Sequence, residues 1–164
     1  TLCADGTHVS KLASCALANL SELSENLELI VGSGLIELSL KLLQMPCSQE
    51  VRSETFRALG NLSACPENGE IMMKNESFLR IVFTVVKEGH SHCESRRMAS
   101  LVFSNLAANV KNHSPLLRNH VVDPLLEDFR AALDEKDLYD NETVQFGLLT
   151  IANLSSCHLS HPLI

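Results

Sequence analysis

One short phrase recurs four times along this chain of 164 residues, and it constrains the fold more than any other feature. Each copy sets an Asn among small and apolar residues: Ala16-Leu17-Ala18-Asn19-Leu20-Ser21, Ala58-Leu59-Gly60-Asn61-Leu62-Ser63, Val102-Phe103-Ser104-Asn105-Leu106-Ala107 and Ile151-Ala152-Asn153-Leu154-Ser155. Successive Asn residues are 42, 44 and 48 positions apart. A period of about 40 to 47 residues is typical of arrays of helical repeats.

The residues around each phrase have the spacing of amphipathic helices. Apolar residues stand three and two positions before each Asn and one after it, except at Thr150. Two amphipathic stretches follow each of the first three phrases, at 25–31 and 35–43, 67–74 and 78–86, and 113–120 and 124–133. A second Asn stands seven residues after the first, at Asn26, Asn68 and Asn112, where we expect its side chain to cap the next helix. The pattern predicts an all-α fold with three helices per repeat.

The Ala-Leu-x-Asn-Leu-Ser phrase, the second Asn and the helix start Gly34-Leu35-Ile36-Glu37-Leu38 resemble armadillo repeats, as in catenin-like scaffolds and the fungal vacuolar armadillo protein. The resemblance covers nearly the whole chain. It implies a right-handed superhelical solenoid of three-helix repeats, with residues 1–164 as a single armadillo-repeat domain that is a fragment of a longer array. The implied segments are the third helix of a partial repeat (1–25), three repeats (26–65, 66–109 and 110–158) and the start of another (159–164).

The resemblance also implies a function, namely a protein-interaction scaffold that binds an extended or helical segment of a partner protein. In armadillo proteins the third helices line a concave groove, and their recurring Asn bonds the backbone of the bound peptide. The matching positions here are Asn19, Asn61, Asn105 and Asn153. An amide suits this contact because it both donates and accepts hydrogen bonds. The alternative is that these amides satisfy backbone groups near a helix end, and the sequence leaves both open.

Residues four and seven positions before each Asn share its side of a helix. Six of them complete the candidate groove: Arg57, Glu54, Met98, Leu101, Phe146 and Leu149. The set is polar in the first half of the chain and apolar in the second, where it suits a partner helix or strand; the alternative is burial between repeats. Nuclear-import adaptors pair the Asn with a Trp, and this chain has no Trp, so we do not expect nuclear-signal binding.

Composition narrows the other functional classes. A net charge of −7 disfavours nucleic-acid partners, whose phosphates require clustered Lys and Arg. No apolar run has the about 18 to 20 residues of a membrane span, so we expect no direct membrane insertion. The sequence has no nucleophile elbow, phosphate loop or paired carboxylates, and we expect no catalysis, no cofactor and no small-molecule substrate. The expected compartment is the cytoplasm, with the nucleus or a membrane periphery open through regions outside the chain.

Two alternatives to a binding scaffold remain: a structural spacer that binds nothing, and a regulatory repeat region fused to a catalytic domain elsewhere. Two groups of residues have side chains of the types that bind metals: His90, His92 and Cys93, and Cys157, His158 and His161. Their separation along the chain predicts no metal site. The acidic stretch 134–140 lacks the Gly of a calcium loop. The six cysteines have no C-x-x-C spacing, which predicts reduced thiols.

Overall fold

The structure, a computed structural model, describes residues 2–88, 94–135 and 142–156. Within these ranges it contains ten α-helices, one short 3-10 turn and no strand. The helices are α1 (Leu2–Ser21), α2 (Ser24–Gly32), α3 (Leu35–Gln44), α4 (Gln49–Ser63), α5 (Pro66–Met73), α6 (Glu76–Lys87), α7 (Glu94–Ala107), α8 (His113–Arg118), α9 (Val122–Glu135) and α10 (Glu142–Ser155), with the turn Val110–Asn112 before α8. The predicted all-α class is confirmed.

The described part of each segment 26–65, 66–109 and 110–158 contains three helices, the last of which carries the Asn-Leu phrase. The six helices of these segments that carry no phrase begin and end within two residues of the predicted amphipathic stretches. Local chemistry explains this agreement. Pro66, for example, is the first residue of α5, where its missing N–H removes no hydrogen bond from the helix.

The chain divides into two compact units, residues 1–81 and 82–164. In the first unit, α4 packs along α1 and also contacts α3 and α5. The side chains of Phe56, Leu59 and Leu62 on α4 are completely buried. At about 25 cal/mol for each square ångström of apolar surface removed from water, these residues make α4 the main contributor to the core of this unit.

In the second unit, α10 packs along α7 and α9. Phe103 on α7 and Leu154 on α10 are completely buried. Gly147 on α10 lies so close to α9 that an added Cβ would stand 3.4 Å from the side chain of Leu125. A small residue six positions before the phrase Asn therefore permits close packing of the two helices.

A buried ion pair joins α7 to α9 in this second unit. The Arg96 guanidinium binds Asp128 Oδ1, and Arg96 Nε donates to the carbonyl of Val86 at 2.8 Å. Only 10% of the Arg96 side chain and 11% of the Asp128 side chain are exposed. Burial raises the pKa of Asp128 above its ordinary value, although the charge and hydrogen bond of Arg96 oppose the shift.

In two copies of the repeat, the second Asn acts on the helix before it and not on the helix after it. Asn26 Nδ2 donates to the Leu20 carbonyl at 3.0 Å, and Asn112 Nδ2 donates to the Leu106 carbonyl at 3.0 Å. Carbonyls in the last turn of a helix lack partners within the helix, which is why these amides turn back. The predicted cap of the following helix is wrong, because neither α2 nor α8 receives a side-chain cap.

The Ser that ends the phrase also acts on the end of its own helix. In the three copies that carry it, the hydroxyl donates at 2.7 Å to the carbonyl three residues earlier: Ser21 to Ala18, Ser63 to Gly60 and Ser155 to Ala152. The remaining copy has Ala107 at this position. The final residue of the phrase is therefore explained by local backbone bonding.

We expect Gly34→Ala to lower the free energy of unfolding by about 1 kcal/mol. Gly34 lies between α2 and α3 with φ +84°, a left-handed conformation that costs other residues about 1–2 kcal/mol. The matched control is Gly32→Ala, where the added Cβ meets no atom within 4 Å, so that stability should stay equal or rise. Denaturant unfolding followed by circular dichroism measures both, and equal losses would contradict the assignment of strain to Gly34.

Candidate protein-binding surface on the long helices

In the first unit the structure brings together three predicted site residues, namely Arg57, Glu54 and Asn19. Arg57 lies half-buried on α4, and its Nε and Nη2 donate to Glu54 Oε2 at 3.0 and 2.7 Å. Its Nη2 also reaches α1, where Asn19 Oδ1 accepts at 2.7 Å, and its Nη1 pairs with Glu22. Sequence reasoning missed Glu22, which stands three residues after Asn19.

This cluster carries more negative than positive charge. Burial lowers the pKa of Arg57. The hydrogen bond and charge of Glu54 and the charge of Glu22 raise it by more, so the pKa of Arg57 lies above its ordinary value. Arg57 is therefore a permanent cation held by two carboxylates. The Glu22 side chain is 56% exposed, against 27% for Glu54, so Glu22 is the more accessible of the two carboxylates.

Asn61 uses its amide inside the fold. Its Nδ2 donates to Ser21 Oγ at 3.1 Å and stands 3.4 Å from the Ala18 carbonyl, so it joins α4 to the end of α1. This contact supports the structural alternative for Asn61. It also makes Asn61 a poor position at which to test binding, because a substitution there removes a bond between helices.

In the second unit the predicted site residues lie on α7 and α10, which pack together. Leu101, Asn105, Phe146 and Asn153 are half-buried, and Leu149 is 53% exposed. Met98 is only 7% exposed, which favours the alternative of burial between helices for this residue. Neighbouring side chains cover α7 at this point, and the unbranched Met side chain adapts to such an enclosed position.

An ion pair between long helices recurs at equal positions in the two units. Lys11 Nζ on α1 binds Glu50 Oε2 on α4 at 2.9 Å, and Arg97 on α7 binds Glu142 on α10. Each cation stands eight residues before the phrase Asn of its own helix. Each carboxylate stands eleven residues before the phrase Asn of the following long helix. The hydrogen bond and charge of Glu50 raise the pKa of Lys11. Comparing charges at equal offsets from the Asn would have revealed this pair from sequence.

The candidate metal residues His90, His92, Cys93, Cys157, His158 and His161 lie outside the described residues, as do 136–140 of the acidic stretch. Across the described ranges, no cluster of three or more His, Cys, Asp or Glu side chains could hold a metal ion. None of the helices described has the length and apolar character needed to cross a membrane. Cys15, Cys47 and Cys65 are free thiols.

Comparison with known proteins gives a likeness of structure. No family model matches the chain. No curated protein matches it either. The chain is similar to the crystal structure of an engineered protein from the Northeast Structural Genomics Consortium, with a TM-score of 0.67 and 25% identity over 90% of this chain and 57% of that one. A second engineered protein from the same consortium gives a TM-score of 0.66 at 24% identity, over 88% of this chain and 33% of that one.

The chain therefore spans about a third to a little over half of the engineered proteins that it matches. Their descriptions name no activity or partner. The likeness supports the helical fold.

Proposed function

We propose that this chain is part of an armadillo-type, right-handed solenoid whose long helices bind a segment of a partner protein in the cytoplasm. Binding, and not catalysis, is its proposed role. The observation that carries the proposal is Leu149 on α10, which leaves half of its side chain exposed about one turn from half-buried Phe146. Half-buried Leu101 lies on α7, the helix that packs along α10. Covering such side chains is favourable, since full burial of one large apolar side chain contributes about 1.5–3 kcal/mol.

The polar cluster of the first unit supports the same proposal with a different chemistry. Asn19 on α1 and Glu22, in the turn just after α1, are exposed next to Arg57, so an extended peptide could exchange bonds with them. Main-chain amides and carbonyls are suitable partners for Asn19, and an acidic side chain can replace Glu22 at Arg57.

The structural-spacer alternative has two specific observations in its favour. Asn61 donates to α1, and Arg57 is held by partners within the fold. A chain whose phrase residues all served its own helices would need no ligand. The choice between the two functions therefore depends on whether the exposed residues, and Leu149 above all, contact another protein.

We expect Leu149→Asp to weaken partner binding at least about tenfold, which corresponds to about 1.4 kcal/mol. The substitution places a charge where the partner would exclude water. Peptides are selected from a phage-displayed random library against the chain, and their affinities are measured by fluorescence anisotropy.

The matched control for this experiment is Leu133→Asp on α9, which is 49% exposed and far in sequence from any phrase Asn. Arg57→Gln tests the polar cluster. It removes the positive charge without adding a third carboxylate beside Glu22 and Glu54, which Arg57→Glu would do. Circular dichroism checks that each variant keeps its helices. Equal affinities for Leu149→Asp and Leu133→Asp would place the contact elsewhere, and a failure to select any peptide would favour the spacer.

A further inference from the structure

A cleft separates α2 from α5 in the first unit. Its volume is about 870 Å³, within the range of about 300–1,000 Å³ that is usual for ligand sites. Apolar side chains make most of its lining, among them Leu27 and Val31 of α2 and Ile71 of α5. Ile71 is 39% exposed, so the apolar wall is open to solvent.

The rim of this cleft is acidic. Glu28 and Glu67 line it, and Glu25 lines a shallow depression that adjoins it through Glu28. Among the residues that the structure describes, no Lys or Arg lines either pocket. Within the described residues, Glu25 and Glu28 form no ion pair, whereas Glu67 accepts a hydrogen bond from the Cys65 thiol at 2.9 Å. The negative charge at the rim attracts cationic groups and repels phosphates.

Asn68 adds an unsatisfied polar group to the lining. It stands at the position where Asn26 and Asn112 donate to the end of the preceding long helix. Asn68 is only 5% exposed, and its Nδ2 has no hydrogen-bond partner among the described residues. A buried donor without a partner costs about 1–3 kcal/mol, and an acceptor brought into the cleft would recover that free energy.

We propose that the α2–α5 cleft binds a partner-protein segment in which an apolar side chain is flanked by Lys or Arg. The apolar side chain lies against Leu27, Val31 and Ile71, and the flanking cation pairs with Glu28 or Glu25. A backbone carbonyl of the segment accepts from Asn68 Nδ2. The cleft shares no residue with the surface on the long helices, so either site can fail without the other.

The test is an array of labelled peptides in which Leu, Ile or Phe is flanked by Lys or Arg. Two matched arrays replace the apolar residue by Ser or the basic residues by Glu. We expect the chain to bind members of the first array, with affinity that falls as salt is added, and to bind neither matched array comparably. Ile71→Lys should weaken binding more than about tenfold, because it places a cation in the cleft.

Leu38→Lys is the matched control, since Leu38 on α3 is 56% exposed and does not line the cleft. Asn68→Ala should weaken binding about five- to tenfold. The denaturant concentration at the midpoint of unfolding of the free protein should stay the same or rise. A loss of stability in Asn68→Ala would mean that the amide serves the fold and would remove the carbonyl contact. The proposal is overturned if no basic peptide binds, if Glu peptides bind equally well, or if Ile71→Lys binds as Leu38→Lys does.

Discussion

Replacing Arg96 by Met should lower the free energy of unfolding by about 3 kcal/mol. Met keeps much of the side-chain volume but removes the charge that faces Asp128, and removing one partner of a buried pair leaves the other ion in a poorly solvated place. The carbonyl of Val86 also loses its donor. Denaturant unfolding of the two proteins measures the difference.

The pH dependence of that difference has a definite sign. Burial already raises the folded-state pKa of Asp128 above its ordinary value of 3.8, and losing Arg96 removes the charge that opposes this shift. A carboxyl whose pKa is raised in the folded state contributes stability below the unfolded pKa and loses it as pH rises through the folded pKa. The deficit of Arg96→Met should therefore shrink as pH falls from about 7 toward 4. The double variant with Asp128→Leu should recover much of the loss, and failure to recover it would assign the effect to packing.

Phe103→Ala should lower the free energy of unfolding by about 4 kcal/mol. This is the largest effect that we expect from one substitution. Phe103 on α7 is completely buried and fills the position that Leu17, Leu59 and Ile151 occupy in the other phrases. Truncation removes an aromatic ring from the core and leaves a cavity that the surrounding helices fill only in part. Thermal and denaturant unfolding should both report the loss.

Phe146→Ala is the informative comparison for Phe103→Ala, because the same change is made in the same unit at a half-buried side chain. We expect it to cost about 1–2 kcal/mol, since the ring gives up less contact on truncation. A loss as large as that of Phe103→Ala would assign Phe146 to the core. Phe146 would then be unavailable to a partner, and the proposed apolar surface would shrink to Leu149 and its immediate neighbours.

The all-α class and the limits of most helices could be predicted from sequence because they depend on local signals. Pro66 begins a helix, Gly34 permits a left-handed turn, and apolar spacing marks one side of each helix. The direction in which the second Asn acts could not be predicted. An Asn just after a helix can accept from the next helix or donate to the last, and only the packing of the turn decides between them. Asn26 and Asn112 donate backward.

The candidate site could be predicted only in part. Helical spacing placed Glu54 and Arg57 on one side of a helix, and the repeated phrase placed Asn19 in the same candidate groove; the structure joins the three by hydrogen bonds. Helical spacing could not show that Met98 is buried, because burial depends on neighbours distant in sequence. Nor could it show that Asn61 donates to Ser21, forty residues earlier in the chain. Each miss concerns a contact between helices, on which the spacing within one helix carries no information.

The bonds from Asn26 and Asn112 to the preceding helix have a consequence for protein engineering. The interval between the phrase Asn and the second Asn is seven residues in the three copies that have both, whereas the distance to the next phrase varies. A cassette cut between these two Asn residues would separate a helix from the amide that closes it. Modules intended for exchange or duplication should therefore be joined downstream of the second Asn, where the copies in this chain already differ in length.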